Sequence, residues 1–407
     1  MISIEEAQRI ILGRIEPLQT EKVSCFQGLN RVTTEDHIAP WDIPPADNSA
    51  MDGFAFCHAG LVDDTLKVTG FLPAGEVHET PVPPGEAIKI MTGAPLPPGC
   101  DAVVPIEDVE DRGELIRLRG PVKAGSHVRR RGEDISRGQV VIGAGSVLRP
   151  QEIGMLSAMG NTSVAVHRSA RVAILSTGDE LLEPGSTPVP GKLINSNSYS
   201  LAAQVLDAGG DPLLLGIAAD NLEATCEKIK QGLECDLLVI SGGVSVGDRD
   251  YVKAAIERLG GEVSFWKVDM KPGKPLAFAM LNGTPIFALP GNPVAAMVSF
   301  ELFVRPCILK ATGHRRVFRP RVKATLLDDT ANKGGRPHLV RGIVSRNAER
   351  YQVTSTGNQS SGRLSSLVLG NALMKLAPET AYAAGTEVEV ILLDRGFEME
   401  EMHDAAL

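Results

Sequence analysis

The chain has 407 residues, which is enough for two to four domains that each bury a hydrophobic core. Its 50 acidic and 41 basic residues give a net charge of −9, which argues against a dedicated nucleic-acid-binding protein. The six cysteines follow no CxxC or CxxH pattern, so neither a disulfide framework nor a structural zinc site is predicted. No signal peptide and no membrane span is predicted, and we expect a cytoplasmic protein.

The N-terminal part begins with a helix and continues into a β-rich module. Ser3 and Glu6 form a capping box, and apolar residues keep helical spacing until Pro17. A polar, proline-rich stretch follows and contains DNSAMDGFA at 47–55. From about 60 to 148 the chain is dense in Gly and Pro, with short β-branched pieces at Ala87–Met91 and Ala102–Ile106, which predicts a small β module. A single helix is predicted over residues 150–160, with Pro at its first turn.

From Ala170 onward, strands alternate with helices, which predicts a mostly parallel sheet with helices on both faces. In such sheets ligands bind at the carboxyl ends of the strands. Several polar turns follow predicted strands and are therefore expected to converge on one edge: TGDEL (177–181), Asp220, GGVSVGDRD (242–250), KPGKP (271–275) and PGNP (290–293). The predicted strands are Val172–Ser176, Leu213–Ala218, Leu237–Ile240, Val263–Met270, Leu276–Leu281 and Pro285–Leu289.

The stretch 236–250 is the centre of this pattern. A short apolar strand leads to Ser241, Gly242 and Gly243, and a helix is predicted from Tyr251 to Leu259. Backbone N–H groups in a strand–turn–helix arrangement of this kind bind phosphate, and two carboxylates beside it, Asp248 and Asp250, suit a divalent cation. The glycine spacing matches neither a P-loop nor a dinucleotide fingerprint, and an ordinary tight turn remains an alternative.

The segment Val322–Asp394 is again β-rich and predicts a small barrel or sandwich, followed by an acidic tail. The predicted fold is therefore multidomain α/β plus β, with a central three-layer α/β domain of mostly parallel sheet, an N-terminal β-rich module and a C-terminal β-barrel-like domain. The predicted domains are 1–50 with 145–168 (helical and linker), 51–144 (inserted β), 169–316 (α/β), 317–394 (C-terminal β) and 395–407 (tail).

The chain contains, in this order, the segments DNSAMDGFA, MTGAPLPPG, RRRGED, STGDEL, NSN, SGGVSVGDRDYVK, KPGKPLAF, ALPGNPVAAMVSFE and STGNQSSGRLSSL. With these segments it resembles the molybdopterin molybdenumtransferases, the MoeA family that includes the gephyrin E domain. The resemblance implies a homodimer of four-domain subunits that inserts molybdate into adenylylated molybdopterin, releases AMP and forms molybdenum cofactor. It also implies Mg²⁺ as cofactor and transient contacts with the molybdopterin adenylyltransferase and with apo-molybdoenzymes, with no nucleic acid or membrane as partner.

The resemblance also implies roles for individual residues. Carboxylates for the cation are Glu180, Asp220, Asp248 and Asp250. The pterin pyrophosphate meets Ser241, Gly242, Gly243, Gly247, Pro290, Gly291 and Asn292. The molybdate pocket combines Ser245, Lys271, Lys274, Arg341 and Ser366, and Lys267 is a further cation. Asp52 and Thr92 reach the cleft from the partner subunit. One departure is Ala295, where many relatives have a serine near molybdate.

Each role has a structural alternative. Asp52 could only hold its own loop, and Thr92 could be an ordinary turn hydroxyl. Glu180 could stabilise the dipole of a helix beginning there, and Asp220 could be an N-cap. The two lysines of KPGKP could be solvated turn residues.

Two other functions are compatible with the sequence. One is a binding scaffold without turnover, as in the receptor-binding gephyrin lineage, and the other is an adenylyltransferase of molybdopterin. A pure scaffold needs none of Asp52, Asp250, Lys271 and Lys274, so their presence together favours catalysis. The additional N-terminal and C-terminal modules favour molybdate insertion over adenylylation.

Overall fold

The structure is a computed structural model that describes residues 1–244, 251–347 and 350–398. It divides into two compact units. One comprises Met1–Lys22, Asn30–Val32 and Ala165–Leu407, and the other comprises Val23–Leu29 and Thr33–Val164. Among the residues that the structure describes, every helix is too short or too polar to cross a membrane.

The smaller unit is built on a six-stranded sheet, which confirms the β-rich module. Its helix Pro150–Ala158 begins at the predicted proline. Short strand pairs also occur, Asn48–Ser49 with Val128–Arg129 and His37–Ile38 with Val140–Ile142. In order across the sheet, the strands are Ala102–Pro105, Gly53–Phe56, Glu86–Ile90, Thr65–Leu72, Leu115–Leu118 and Val109–Asp111.

The larger unit contains the predicted α/β sheet, now with six strands in a defined order. The first four are mutually parallel, whereas the fifth is antiparallel to both of its neighbours. The fifth strand, Pro275–Leu281, therefore begins at the edge where the other five end. In order, the strands are Asp211–Ala218, Arg171–Thr177, Leu237–Ser241, Thr284–Leu289, Pro275–Leu281 and Glu262–Lys267.

Helices cover both faces of this sheet. Successive strand residues point to opposite faces, so Val239 enters one core cluster while Leu238 and Ile240 enter the other. The three-layer prediction is confirmed. On the first face lie Ile4–Leu12, Ser196–Asp207 and a helical run over residues 293–311 that is π-helical at Phe300–Val304; on the second lie Leu222–Gly232 and Tyr251–Arg258.

The C-terminal β segment is a closed barrel, which decides between the two predicted architectures. A two-stranded sheet, Thr330–Asn332 with Thr380–Tyr382, and the helix Ser365–Leu369 accompany it. In order around the barrel, the strands are Arg321–Leu326, Arg350–Ser355, His338–Asn347, Ala372–Leu376 and Glu387–Leu392.

Two local alternatives are wrong. No helix begins at Glu180, because residues 178–180 turn into the short strand Leu181–Leu182, which pairs with Leu193–Ile194. Asp220 is not the N-cap of the next helix either. Asn221 takes that position, and its Oδ1 accepts a hydrogen bond from the Ala224 N–H at 2.8 Å.

Candidate active site

A cavity of about 320 Å³, which we call the first cavity, lies at the carboxyl edge of the central sheet. It is lined by the turns that follow four neighbouring strands, as the alternating pattern predicted. Eight of the predicted site residues line it: Glu180, Asp220, Ser241, Gly242, Gly243, Pro290, Gly291 and Asn292. Ser245, Gly247, Asp248 and Asp250 lie outside the described residues.

The glycine turn allows close backbone packing at the wall of the first cavity. Gly242 and Gly243 have φ of 96° and 65°, in the region that disfavours residues with a Cβ. A Cβ at Gly242 would lie 2.7 Å from Thr177 O, and one at Gly243 would lie 2.6 Å from Val252 Cγ2. Both positions therefore require glycine, because the turn packs directly against Thr177 and Val252.

Asn197 links three of the elements around the first cavity. Its Nδ2 donates to Ser241 Oγ at 2.7 Å and to Gly291 O at 2.8 Å. The start of a helix, the end of a strand and the PGNP turn are thereby held together. From the sequence, no role is predicted for Asn197. Its signal was the NSN motif, in which Asn195 provides the helix cap by accepting from the Ser198 N–H.

Two acidic side chains, Glu180 and Asp220, contribute carboxylates to the first cavity. Asp220 is fixed by a reciprocal pair of bonds: Asp179 N donates to its carboxylate at 3.2 Å, and Asp220 N donates to Asp179 Oδ1 at 3.1 Å. Glu180 is exposed, and its carboxylate lies close to Gly178: a Cβ added to Gly178 would be 2.6 Å from Glu180 Oε2. No group of three or more acidic, His or Cys side chains that could hold a metal ion occurs within the described residues.

A second cavity of about 610 Å³ adjoins the first, with Pro275, Pro290 and Asn292 lining both. It lies between the sheet edge and the barrel, both within the larger unit. Lys271 and Lys274 line it, opposite the loop of residues 358–361. Ala295 is also in its wall, so the residue that replaces the family serine borders this cavity.

The lysine turn is held firmly by backbone hydrogen bonds. Lys271 N donates to Pro337 O at 2.9 Å, and Leu339 N donates to Lys271 O at 2.7 Å, which joins the turn to a barrel strand. Gly273 has a φ of 103°, and a Cβ there would lie 2.8 Å from Ser299 Oγ. The turn therefore presents both ammonium groups from a rigid backbone.

His338, next to this turn, is a buried neutral histidine. Its side chain is almost fully buried, and it pairs with Lys271 in an isolated β-bridge. Burial lowers the pKa of His338 to about 4, and the positive charges of Lys271 and Arg341 act in the same direction. Near neutral pH, the positive charge at the second cavity therefore comes from the lysines and arginines.

Arg341 and Ser366 lie behind the second cavity. Arg341 is fully buried, and its Nε donates to Ser366 Oγ at 3.0 Å while Nη2 donates to Ser360 O at 3.1 Å. Burial lowers the pKa of Arg341 to about 10. Neither side chain is among the described residues that line the second cavity, whereas Gln359 and Ser360 are. The pair thus supports the loop that forms the cavity wall.

Lys267 ends the sixth strand and is half-buried. It is not among the described residues that line either cavity. Its backbone pairs with Pro275 at the end of the KPGKP turn, so Lys267 lies near that turn without contributing to the lining of the second cavity.

Asp52 and Thr92 meet in the smaller unit, 40 residues apart in the chain. Asp52 Oδ1 accepts from both Thr92 N and Thr92 Oγ1, each at 2.7 Å. The bond from the backbone N–H, followed by that from the hydroxyl, lowers the pKa of Asp52. Asp52 therefore joins two separate loops, while both side chains stay exposed.

The fold and the two cavities define a ligand-binding α/β protein with a polar cleft at the carboxyl edge of its sheet. Three family models match almost the whole chain: the MoeA N-terminal region (domain I and II) over residues 2–160, the "Probable molybdopterin binding domain" over 173–310, and the MoeA C-terminal region (domain IV) over 323–393. The chain belongs to the MoeA family, which confirms the resemblance carried by the sequence motifs.

Named relatives and a solved structure agree with this assignment. Molybdopterin molybdenumtransferase 2 of Mycobacterium tuberculosis is 35% identical over 403 residues, 96% of this chain and 99% of that protein. The molybdopterin molybdenumtransferase of Haemophilus influenzae is 35% identical over 399 residues, 96% and 98% of the two chains. The crystal structure of the molybdopterin biosynthesis moeA protein from Pyrococcus horikoshii OT3 matches with a TM-score of 0.81 and 31% identity, covering 96% of this chain and all of that one.

Proposed function

We propose that this protein is a molybdopterin molybdenumtransferase that inserts molybdate into adenylylated molybdopterin, with release of AMP and formation of molybdenum cofactor. The observation that carries the proposal is the pair of adjoining cavities with different chemistry. The first offers a glycine turn and carboxylates, as a pyrophosphate and its cation require. The second offers two lysines, as a small dianion requires.

The chain's own residues divide the work between the cavities. The phosphates are assigned to the glycine turn at Gly242 and Gly243, which lines the first cavity. Asn197 holds Ser241 and Gly291 in position around them. Lys271 and Lys274 place molybdate next to the pterin, and the support from Arg341 keeps the wall opposite them in place. This arrangement brings the two reactants together in one orientation.

The described donors fit Mg²⁺, a hard cation that prefers carboxylate oxygens. Glu180 and Asp220 would hold it at the first cavity, and the sequence adds Asp248 and Asp250. When bound, the cation supplies charge neutralisation and Lewis-acid polarisation of the phosphate oxygens. The two bonds from the backbone N–H groups of Asp179 and Asp220 to each other's carboxylates keep the Asp220 loop in place for this role.

We also propose that the protein is a cytoplasmic homodimer whose Asp52–Thr92 pair serves the partner subunit, because the family resemblance implies this arrangement. Light scattering of the purified protein should give twice the 43.3 kDa chain mass. A monomer with full activity at nanomolar concentration would contradict this part of the proposal.

The direct test uses purified protein, adenylylated molybdopterin, molybdate and magnesium, with AMP followed by chromatography. We expect AMP release that depends on molybdate and on magnesium together. A binding scaffold would retain adenylylated molybdopterin without AMP release, and an adenylyltransferase would instead consume ATP with unadenylylated molybdopterin. Either result would contradict the proposed molybdate insertion and support the corresponding alternative function.

A further inference from the structure

Two buried side chains in the first cavity have unused hydrogen-bonding capacity. Thr177 and Asn197 both line the cavity and are each only 8% exposed. Thr177 Oγ1 and Asn197 Oδ1 have no hydrogen-bond partner among the described residues. Buried polar atoms in folded proteins are nearly always paired, so this pair marks a place for a ligand group.

The orientation of the Asn197 amide determines which kind of ligand group fits. Gly291 O is a carbonyl and can only accept, so the amide nitrogen must face it. The second N–H is used by Ser241 Oγ. Both amide protons are therefore hydrogen-bonded within the protein, and Oδ1 remains as a pure acceptor.

A pure acceptor has no favourable partner in a phosphate, whose oxygens are themselves acceptors near neutral pH. Such an atom binds either an N–H or O–H group or a cation, and in this cavity the carboxylates of Glu180 and Asp220 are the stronger ligands for a cation. We propose that Asn197 Oδ1 and Thr177 Oγ1 form a recognition site for a hydrogen-bond donor on the organic part of the substrate: a ring N–H or amino group of the pterin or adenine, or a ribose hydroxyl. This inference rests on the proposed function and assigns the phosphates to another part of the cavity.

The glycine turn provides the adjacent phosphate position. A Cβ at Gly242 or at Gly243 would lie 2.9 Å from Thr177 Oγ1, so the unpaired hydroxyl is next to the turn. The cavity therefore has an acceptor-bearing part at Asn197 and a backbone part at the glycines. The mixed donor and acceptor character of the Thr177 hydroxyl suits the boundary between them.

The test uses Thr177→Val, which removes the hydroxyl with little change in shape. Because that hydroxyl has no partner in the free protein, the variant should unfold at the wild-type temperature or above it. Thr177→Ser keeps the hydroxyl as a matched control. A second control is Thr225→Val, also buried, whose hydroxyl donates to Asn221 O at 2.8 Å and is not in the cavity lining.

Calorimetric titrations would compare AMP, purine riboside 5′-monophosphate, 2′-deoxy-AMP, pterin-6-carboxylate and inorganic phosphate. We expect Thr177→Val to weaken the organic probes that carry the recognised donor by about five- to tenfold, the effect of one hydrogen bond, while phosphate binding is unchanged. Thr177→Ser and Thr225→Val should bind as wild type. If adenine provides the donor, Thr177→Val should bind purine riboside monophosphate as tightly as wild type does. If the ribose provides it, the same should hold for 2′-deoxy-AMP. If the pterin provides it, only the affinity for pterin-6-carboxylate should fall.

Two results overturn the inference. One is a Thr177→Val variant that binds every organic probe as wild type does, and the other is a loss that is equal for phosphate and organic probes. The proposed function fails differently: wild-type protein would then show no molybdate-dependent AMP release and would bind none of the organic probes.

Discussion

Replacing the buried histidine beside the lysine turn should change how the stability of the larger unit depends on pH. His338 is 6% exposed, and its pKa falls to about 4. In the unfolded chain the same side chain titrates near 6.5. Because the folded-state pKa is the lower one, the stabilisation is present above about pH 6.5 and is lost as the pH falls toward 4.

The size of the effect follows from the two pKa values. Each unit of difference corresponds to 1.36 kcal/mol, so the complete penalty below pH 4 is about 3 kcal/mol. Between pH 7 and pH 5, about 2 kcal/mol of this is lost, because at pH 5 the unfolded histidine is protonated and the folded one is still mostly neutral. For a unit of this size, that corresponds to roughly 4 °C in unfolding temperature.

The variant His338→Gln keeps a polar group but removes the titration. Scanning calorimetry at pH 7 and pH 5 should therefore show a fall in Tm that is smaller than the wild-type fall by roughly 4 °C. His78→Gln, in a loop of the smaller unit, is the control and should reproduce the wild-type fall. An equal fall in His338→Gln and wild type would refute the neutral, buried state of this histidine.

Three further predictions concern the site. Lys271→Ala and Lys274→Ala should each raise the molybdate concentration for half-maximal AMP release by roughly ten- to a hundredfold, because each removes one charge-assisted hydrogen bond. An unchanged half-saturation concentration would show that both are solvated turn residues. Asp250→Ala should lower AMP release at limiting magnesium, because one of the carboxylates assigned to the cation is removed; wild-type turnover would exclude this carboxylate from cation binding. Thr92→Val should raise the pKa of Asp52 by removing one of its two donors, measurable by carboxyl ¹³C titration, and an unchanged pKa would mean that the hydroxyl bond is absent in solution.

Local features of the chain were predictable because they depend on neighbouring residues. The helix at Ile4–Leu12 and its Ser3 cap follow from spacing and capping chemistry. The buried strand Leu237–Ser241 follows from an unbroken apolar run. The positive φ at Gly242 and Gly243 is also a local feature, because glycine adopts this conformation at little cost.

The placement of the site residues depended on relationships that no local pattern contains. KPGKP lies at the second cavity only because Pro275–Leu281 runs antiparallel to the strands beside it. The direction of a strand is decided by its pairing across the sheet. Arg341 lies behind the 358–361 loop rather than in the cavity wall because its strand closes a barrel. The Asp52–Thr92 pair likewise joins loops 40 residues apart.

The position of Asn197 in the site likewise depends on tertiary structure. In the sequence it is one polar residue near a helix start, where asparagine commonly caps. Its functional character appears only when Ser241 and Gly291, 44 and 94 residues away, occupy both of its amide protons. Composition, periodicity and turn chemistry thus determined the elements and the edge at which they end, whereas tertiary packing decided which polar atoms remain unpaired for a ligand, because pairing depends on groups that are distant in the chain.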